Sequence, residues 1–400
     1  MKRIGVPLVC AGLLLAAAPA HAQSAGAAVD VEALIDEQER GAGAGSLLRT
    51  LSPGAAARRD ALSEAGLSLA LGYGAYAVAA PASDAAWTAD GDIGLAVRWR
   101  VRPTEAANGT SFVAYVENRA NYTSDDAFTF TDEVGSATFL SPIPNRDHTR
   151  LRQLYLKQNL ANDSVVLGVG KFATRGNFTQ SRVLGDKFRR FSSFAFALEP
   201  SFSPPIDAVG GYVRLQPKNS RVTVAGAVLD AAPDLESFDT DIDGPYVVGE
   251  VVLTDEPWRR DGGAPQPDFL LRLTGYHRSG TRDPEGGPSG SGVAATLDWR
   301  PRADWDIGVR YGAAEDALGA ISHAAALGVV RDAPFGRARD AGGIALGWTR
   351  TADEGETLLG EAFYRLNVVP GLEATPFVQG VERLRGGLDA TLGVRLRVVL

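Results

Sequence analysis

Residues 91–101 read GDIGLAVRWRV, and this stretch decides how the chain is read. Ile93, Leu95, Val97, Trp99 and Val101 share one parity, and Gly94, Ala96, Arg98 and Arg100 share the other. Strand side chains alternate between two faces, so the stretch predicts a strand with one apolar face and one small or cationic face. Residues 304–312 repeat the pattern, with Trp305, Ile307, Val309 and Tyr311 against Asp306, Gly308, Arg310 and Gly312. So does the final run, with Leu392, Val394, Leu396 and Val398 against Thr391, Gly393, Arg395 and Arg397. A soluble sheet packed on one face would also alternate. Length separates the two cases. The runs span about 9–12 residues, as a tilted strand needs to cross a bilayer, whereas strands of soluble proteins average about 5–6. Tyr73, Trp99, Trp299, Trp305, Trp348 and Tyr364 fall near run ends or flanks, where interfacial girdles sit.

Outward from this stretch the chain holds sixteen such runs: 67–78, 92–102, 111–122, 149–160, 164–173, 207–216, 220–230, 246–255, 268–279, 291–300, 304–312, 323–331, 341–350, 357–367, 371–382 and 389–400. The weakest pattern is 323–331. Short turns such as 161–163, 217–219, 301–303 and 368–370 alternate with long segments at 123–148, 174–206, 231–245 and 280–290. The segments 103–110, 256–267 and 332–340 break the rule. The expected fold is all-β: a transmembrane antiparallel β-barrel of about 16 strands over residues 67–400, with both termini on the periplasmic side. Residues 1–22 carry Lys2 and Arg3, an apolar stretch Val6–Ala18 and Ala20-His21-Ala22, the pattern of a cleaved signal peptide. Residues 23–66 lack alternation and form an N-terminal periplasmic segment. Within it, Val31, Leu34 and Ile35 suit one face of a short helix at 29–39, and 46–65 reads as a second helix. This segment is either a loose tether, a periplasmic extension or a piece that enters the barrel mouth.

Composition removes several classes. The 400 residues include 46 glycines, one cysteine and a formal net charge of −8. An acidic chain does not suit a general nucleic-acid partner. One cysteine excludes a disulfide framework, and no apolar run beyond residue 22 is long enough for a membrane helix.

In its C-terminal third the chain reads PFGRARD at 334–340, then GGIALGWTR, EAFYR at 361–365, LEATPFVQ at 372–379 and TLGVRL at 391–396. Upstream stand LRQLYLKQ at 151–158, VGKF at 169–172 and DALSEAGL at 60–67. In order and spacing these segments resemble the carbohydrate-selective outer-membrane porins, the OprB-type family. The resemblance spans most of residues 60–400. It implies a sixteen-stranded channel for passive diffusion of monosaccharides such as glucose, in the outer membrane of a Gram-negative bacterium.

Porins narrow where the loop after strand five folds inward. Here that loop is 174–206, and it carries Arg175, Arg182, Lys187, Phe188, Arg189, Arg190 and Phe191. Guanidinium donors suit sugar hydroxyls, and aromatic rings suit the apolar faces of sugars. Parity places Arg98, Arg100, Arg272, Arg310, Arg395 and Arg397 on the lumen wall, with Glu117, Tyr155, Lys157, Glu361, Glu373 and Gln379. Opposed arginines and carboxylates would set a transverse field across the lumen, or brace its wall.

Other chemistry is weaker. His148, His277 and His323 stand apart, so neither a metal nor another cofactor is expected, and no G-x-S-x-G elbow supports an enzyme. Asp239, Asp241 and Asp243 echo a calcium loop without its closing glutamate. The expected partners are sugar solutes, outer-membrane lipid and lipopolysaccharide, with a homo-oligomer left open. The alternative within the same architecture is a general or anion-preferring porin. A soluble exported β-protein is a distant third.

Overall fold

The computed structural model describes residues 34–35, 47–81, 87–101, 108–123, 126–141, 148–205, 207–232, 244–257, 267–280, 288–319, 321–351, 355–382 and 386–400. The expected signal peptide and the Asp239–Asp243 loop lie outside these residues. Sixteen strands close a barrel: β1 Leu67–Ala79, β2 Trp87–Arg100, β3 Thr110–Asn121, β4 His148–Leu160, β5 Val165–Phe172, β6 Ala208–Leu215, β7 Val222–Asp230 and β8 Pro245–Thr254. The second half runs β9 Phe269–Arg278, β10 Gly290–Arg302, β11 Trp305–Ala314, β12 Ile321–Asp332, β13 Ala341–Thr351, β14 Gly355–Val369, β15 Leu372–Glu382 and β16 Leu388–Val399. Each strand pairs antiparallel with the next, and β1 closes on β16. The even count brings both ends of the wall to one rim, the terminal rim. Among the described residues, the helices α1 Leu47–Leu51 and α2 Pro53–Glu64 precede β1, and α3 Ala127–Val134 and α4 Phe194–Ala197 lie in connections between strands.

Period-two burial explains why these runs become wall. In β13, Ile344 and Leu346 are each 66% exposed while Ala345 between them is 1% exposed. Apolar side chains therefore face outward all round the wall, as lipid requires, while the inner face mixes polar and small residues with buried aromatics such as Phe172 and Phe363. Trp99 stacks on Phe112 outside the terminal rim, with ring centroids 5.6 Å apart. Tyr311, His323 and Trp348 form an outer band near the opposite rim. Among the described residues no helix is long and apolar enough to cross a membrane.

The expected runs and the observed strands agree to within a few residues. β2 shows the largest difference, starting at Trp87 rather than at 92. The turn at Ala161, Asn162 and Asp163 puts all three residues at positive φ (51°, 54° and 65°), which short Asn and Asp side chains tolerate. In β4 a register shift opposite Tyr115 and Val116 reverses parity, so that Arg152 and Gln153 are both buried. The connection from β5 to β6 does not leave the barrel; it crosses the interior.

Candidate functional site

The crossing segment, residues 173–207, is stapled to the inner wall by carboxylates. The Glu361 side chain accepts the backbone N–H of Ser192 at 2.7 Å and of Ser193 at 3.0 Å. Glu250 accepts the N–H of Thr179 at 2.8 Å, and Asp298 accepts the Arg182 N–H at 2.9 Å and the Ser181 hydroxyl at 2.5 Å. The wall also donates: Arg310 to the Phe196 carbonyl at 2.9 Å, Arg395 to the Lys187 carbonyl at 2.9 Å and Tyr276 to the Ser201 carbonyl at 2.7 Å. Charged acceptors make hydrogen bonds roughly twice as strong as neutral ones. Inward glycines give the segment room. At Gly328 a Cβ would lie 2.5 Å from Leu184 Cδ2 and 3.0 Å from Phe191 Cε2. At Gly347 it would lie 3.0 Å from Phe196 Cε1.

The loop residues expected on the solute path divide into two groups. Arg175, Arg182, Lys187, Phe188 and Phe191 are anchors. Arg175 donates to the Phe202 carbonyl at 3.1 Å, and burial pushes its guanidinium down from the usual value. Arg182 donates to the carbonyls of Asp268, at 3.1 Å, and Pro267. Lys187 pairs with Asp92 at 2.7 Å and lies 4.8 Å from the Phe188 ring centroid; burial pushes its ammonium down although Asp92 opposes the shift. Phe188 presses on Gly74, and Phe191 packs edge-on to Phe363 at 5.0 Å. Arg189 and Arg190 are less enclosed. Arg189 reaches Glu373 at 3.3 Å, and Arg190 reaches Asp306 at 3.5 Å and Asp332 at 3.8 Å.

The wall residues are inward, and many are matched by opposite charge. Arg272 meets Glu250 at 2.8 Å, Arg397 meets Glu373 at 3.3 Å and Arg395 lies 3.9 Å from Glu361. Gln379 donates to Glu361 at 3.1 Å and to the Ser192 hydroxyl at 3.0 Å, and accepts from Thr391 at 2.9 Å. Tyr155 lies edge-on to Phe172 and Tyr212, while Arg98 and Lys157 are buried and Arg100 is half-buried. Side-chain exposure singles out what a solute can reach: Arg189 at 34%, Arg272 at 19%, Arg190 at 16% and Arg397 at 11%.

A second charged cluster was only partly legible. Glu117 binds Arg119 and Arg152, the latter at 3.0 Å, with Arg150 at 3.8 Å; Arg152 also meets Asp207 at 2.8 Å. Arg119 lies two residues from Glu117 on the same parity, and that signal was available. Arg150 and Arg152 were hidden by the register shift in β4. Asp92, Asp207 and Asp298 have no mark in the sequence, because their partners are far away along the chain; Asp306 shows inward parity, but its pairing with Arg300 across the turn at 301–304 does not. Among the described residues no group of three metal-ligating side chains could hold an ion.

The family model described as carbohydrate-selective porin, OprB family, matches residues 113–400, more than half of the chain. The high-pH structure of Pseudomonas putida OprB aligns with a TM-score of 0.71 at 14% identity, covering 86% of this chain and 96% of that one. The low-pH structure of the same protein gives 0.55 at 12% identity, over 87% and 97%. A mutant of the Rh. blastica porin gives 0.52 at 12% identity, over 83% and 99%. No curated protein sequence matches. At such identities the structural likeness speaks for the fold.

Proposed function

The chain belongs to the carbohydrate-selective porins of the OprB family, and from that premise we propose that it passes monosaccharides such as glucose by passive diffusion across the outer membrane. The observation that carries this reading is the stapled segment 173–207 inside a sixteen-stranded wall. A wall of this size encloses a wide lumen, and the crossing segment occupies part of it. The accessible guanidiniums of Arg189, Arg190, Arg272 and Arg397 offer paired donors to sugar hydroxyls. Their carboxylate partners Glu373, Asp306 and Glu250 are buried behind them and hold the guanidiniums in place. A sugar exchanges water for these groups and gives them up again, so the affinity at each position is weak, as flux requires.

A second reading, a pore with anion preference, is favoured by one place. Three guanidiniums, Arg189, Arg365 and Arg397, surround the single carboxylate of Glu373 at 3.3, 3.8 and 3.3 Å. Planar-bilayer recordings decide between the two. The sugar reading predicts that glucose reduces or interrupts the ion current and that the reversal potential in a salt gradient stays small. A strongly anion-selective reversal potential with no effect of glucose favours the second reading and refutes the first.

A further inference from the structure

We propose that the outer face of β11–β14 carries a headgroup site for an anionic phospholipid at the terminal rim, which the even strand count sets on the periplasmic side. The inference rests on the barrel lying in the outer membrane and not on which solute it passes. The site is built on the turn from β12 to β13, which contains PFGRARD at 334–340 and is longer than a periplasmic connection needs. Its own hydrogen bonds close it into a finger: the Ala333 N–H donates to the Asp340 carbonyl at 2.9 Å, and the Asp340 N–H to the Arg337 carbonyl at 3.0 Å. The buried Asp340 carboxylate is the centre of the finger. It accepts from the Tyr364 hydroxyl at 2.8 Å and the Asn367 N–H at 3.0 Å, and pairs with Arg337 at 2.8 Å. Phe335, Gly336, Arg337, Ala338 and Arg339 are all exposed, Phe335 at 78%.

Register places this finger beside a notch in the wall. Trp305, Arg331, Gly342 and Tyr364 are ladder neighbours in one outward row across β11, β12, β13 and β14. The Arg331 guanidinium lies over the Trp305 ring, 5.5 Å from its centroid, and the Phe335 ring lies 5.4 Å from that of Tyr364. Gly342 has no side chain, so the row is open between the arginine and the tyrosine. The next outward row toward the membrane centre is Ile307, Val329, Ile344 and Ala362, an apolar strip below the notch.

Charge selects the occupant. Four arginines gather here: Arg331, Arg337, Arg339 and Arg302, which is the ladder partner of Trp305. Two carboxylates oppose them, Asp304 at 3.2 Å from Arg331, and Asp340. Asp332 faces the lumen, toward Arg190. The patch is therefore cationic on a chain whose formal net charge is −8. Aromatic rings at this level mark the membrane–water interface, and arginine stems lie along it while their heads reach the lipid headgroups. A phosphodiester in the notch takes paired guanidinium donors, and its acyl chains run down past Val329 and Ile344. A zwitterionic headgroup offers the same phosphate but brings an ammonium group among the arginines, so an anionic one such as phosphatidylglycerol is preferred.

The test is native mass spectrometry of the full, folded chain, released from detergent containing equal amounts of phosphatidylglycerol and phosphatidylethanolamine with the same acyl chains. Heat-modifiable electrophoretic migration checks the barrel of each variant. The wild type should retain phosphatidylglycerol over phosphatidylethanolamine by roughly fivefold or more, the effect of one interfacial arginine on an anionic lipid. Arg331→Ala with Arg337→Ala and Arg339→Ala should bring the two lipids to parity. Gly342→Leu keeps every charge and fills the notch; a Cβ there meets its neighbours at 3.6–3.7 Å, ordinary contact, so the strand accepts it. It too should lower the preference. Lys218→Ala with Arg221→Ala, on the exposed turn from β6 to β7 at the same rim, should leave it unchanged. Parity in the wild type overturns the site and leaves the finger to an acidic protein partner in the periplasm. A wild-type preference in the folded triple variant or in Gly342→Leu, or an equal loss from the Lys218 and Arg221 pair, also overturns it.

Discussion

Replacing Glu361 with alanine removes the acceptor that seats the middle of the crossing segment. The carboxylate takes hydrogen bonds from the backbone of Ser192 at 2.7 Å, the backbone of Ser193 at 3.0 Å and Gln379 at 3.1 Å, and lies 3.9 Å from Arg395. A hydrogen bond to a charged group contributes about 1.5–3 kcal/mol, and three such bonds are not additive. Truncating one partner of a buried ion pair costs about 3–5 kcal/mol, because the other charge is left uncompensated. Even about 3 kcal/mol lowers the ratio of seated to unseated segment by about a hundredfold, at 1.4 kcal/mol per tenfold. The wall is held by its own backbone ladder, so the barrel should persist and still migrate as a folded, heat-modifiable species. Its conductance should rise and become noisy, as residues 190–197 leave the wall. Glu361→Gln keeps one acceptor oxygen and should fall between. A folded Glu361→Ala barrel with wild-type conductance and quiet current would refute the argument that this carboxylate seats the segment.

Three further outcomes follow from the same geometry. Leu346→Arg places a charge on the lipid face at the centre of β13, where Leu346 is 66% exposed; it should destabilise the barrel by about 2–4 kcal/mol in a urea refolding titration. Gly74→Ala should displace the Phe188 ring that presses on this glycine, changing conductance while leaving barrel stability nearly unaltered. The protein around the solvent-accessible Asp186 carboxyl partly desolvates it and pushes it up, but Arg397, Arg189 and the N–H groups of Phe188 and Arg189 outweigh this and hold it below the usual carboxylate range. A depressed carboxyl contributes stability above its unfolded value and loses it as pH falls through the folded one. Conductance should therefore hold steady through neutral and mildly acidic pH and change only below the ordinary carboxylate range, and Asp186→Asn should abolish that acid step.

Much of the wall was legible because strand periodicity and lipid exposure act on the same residues. Even the faint run at 323–331 forms a strand, Ile321–Asp332. Its pattern is faint because Ala324, Ala326 and Gly328 face inward, and small residues there leave space for Leu184 and Phe191. β2 starts at Trp87, before the run at 92–102, because pairing carries the ladder further: Asp90, Gly91 and Asp92 pair with Asn121, Ala120 and Arg119. Inward parity found Glu361, Glu373, Gln379, Arg395 and Arg397, but not their tasks. A lone arginine on a strand face looks like a free donor, and whether a carboxylate sits opposite it depends on closure of the sheet. Arg397 and Glu373 are neighbours only through the pairing of β15 with β16. The packing of Leu34 against Gly72 is likewise a tertiary contact with no local signal.

The most direct test of a sugar-selective channel is swelling of liposomes containing the folded protein, with glucose compared to a neutral amino acid of similar size and to a disaccharide. The account predicts that glucose enters faster than the size-matched amino acid, and that the disaccharide enters more slowly than either. Entry ranked by size alone, with glucose and the amino acid equal, would contradict it.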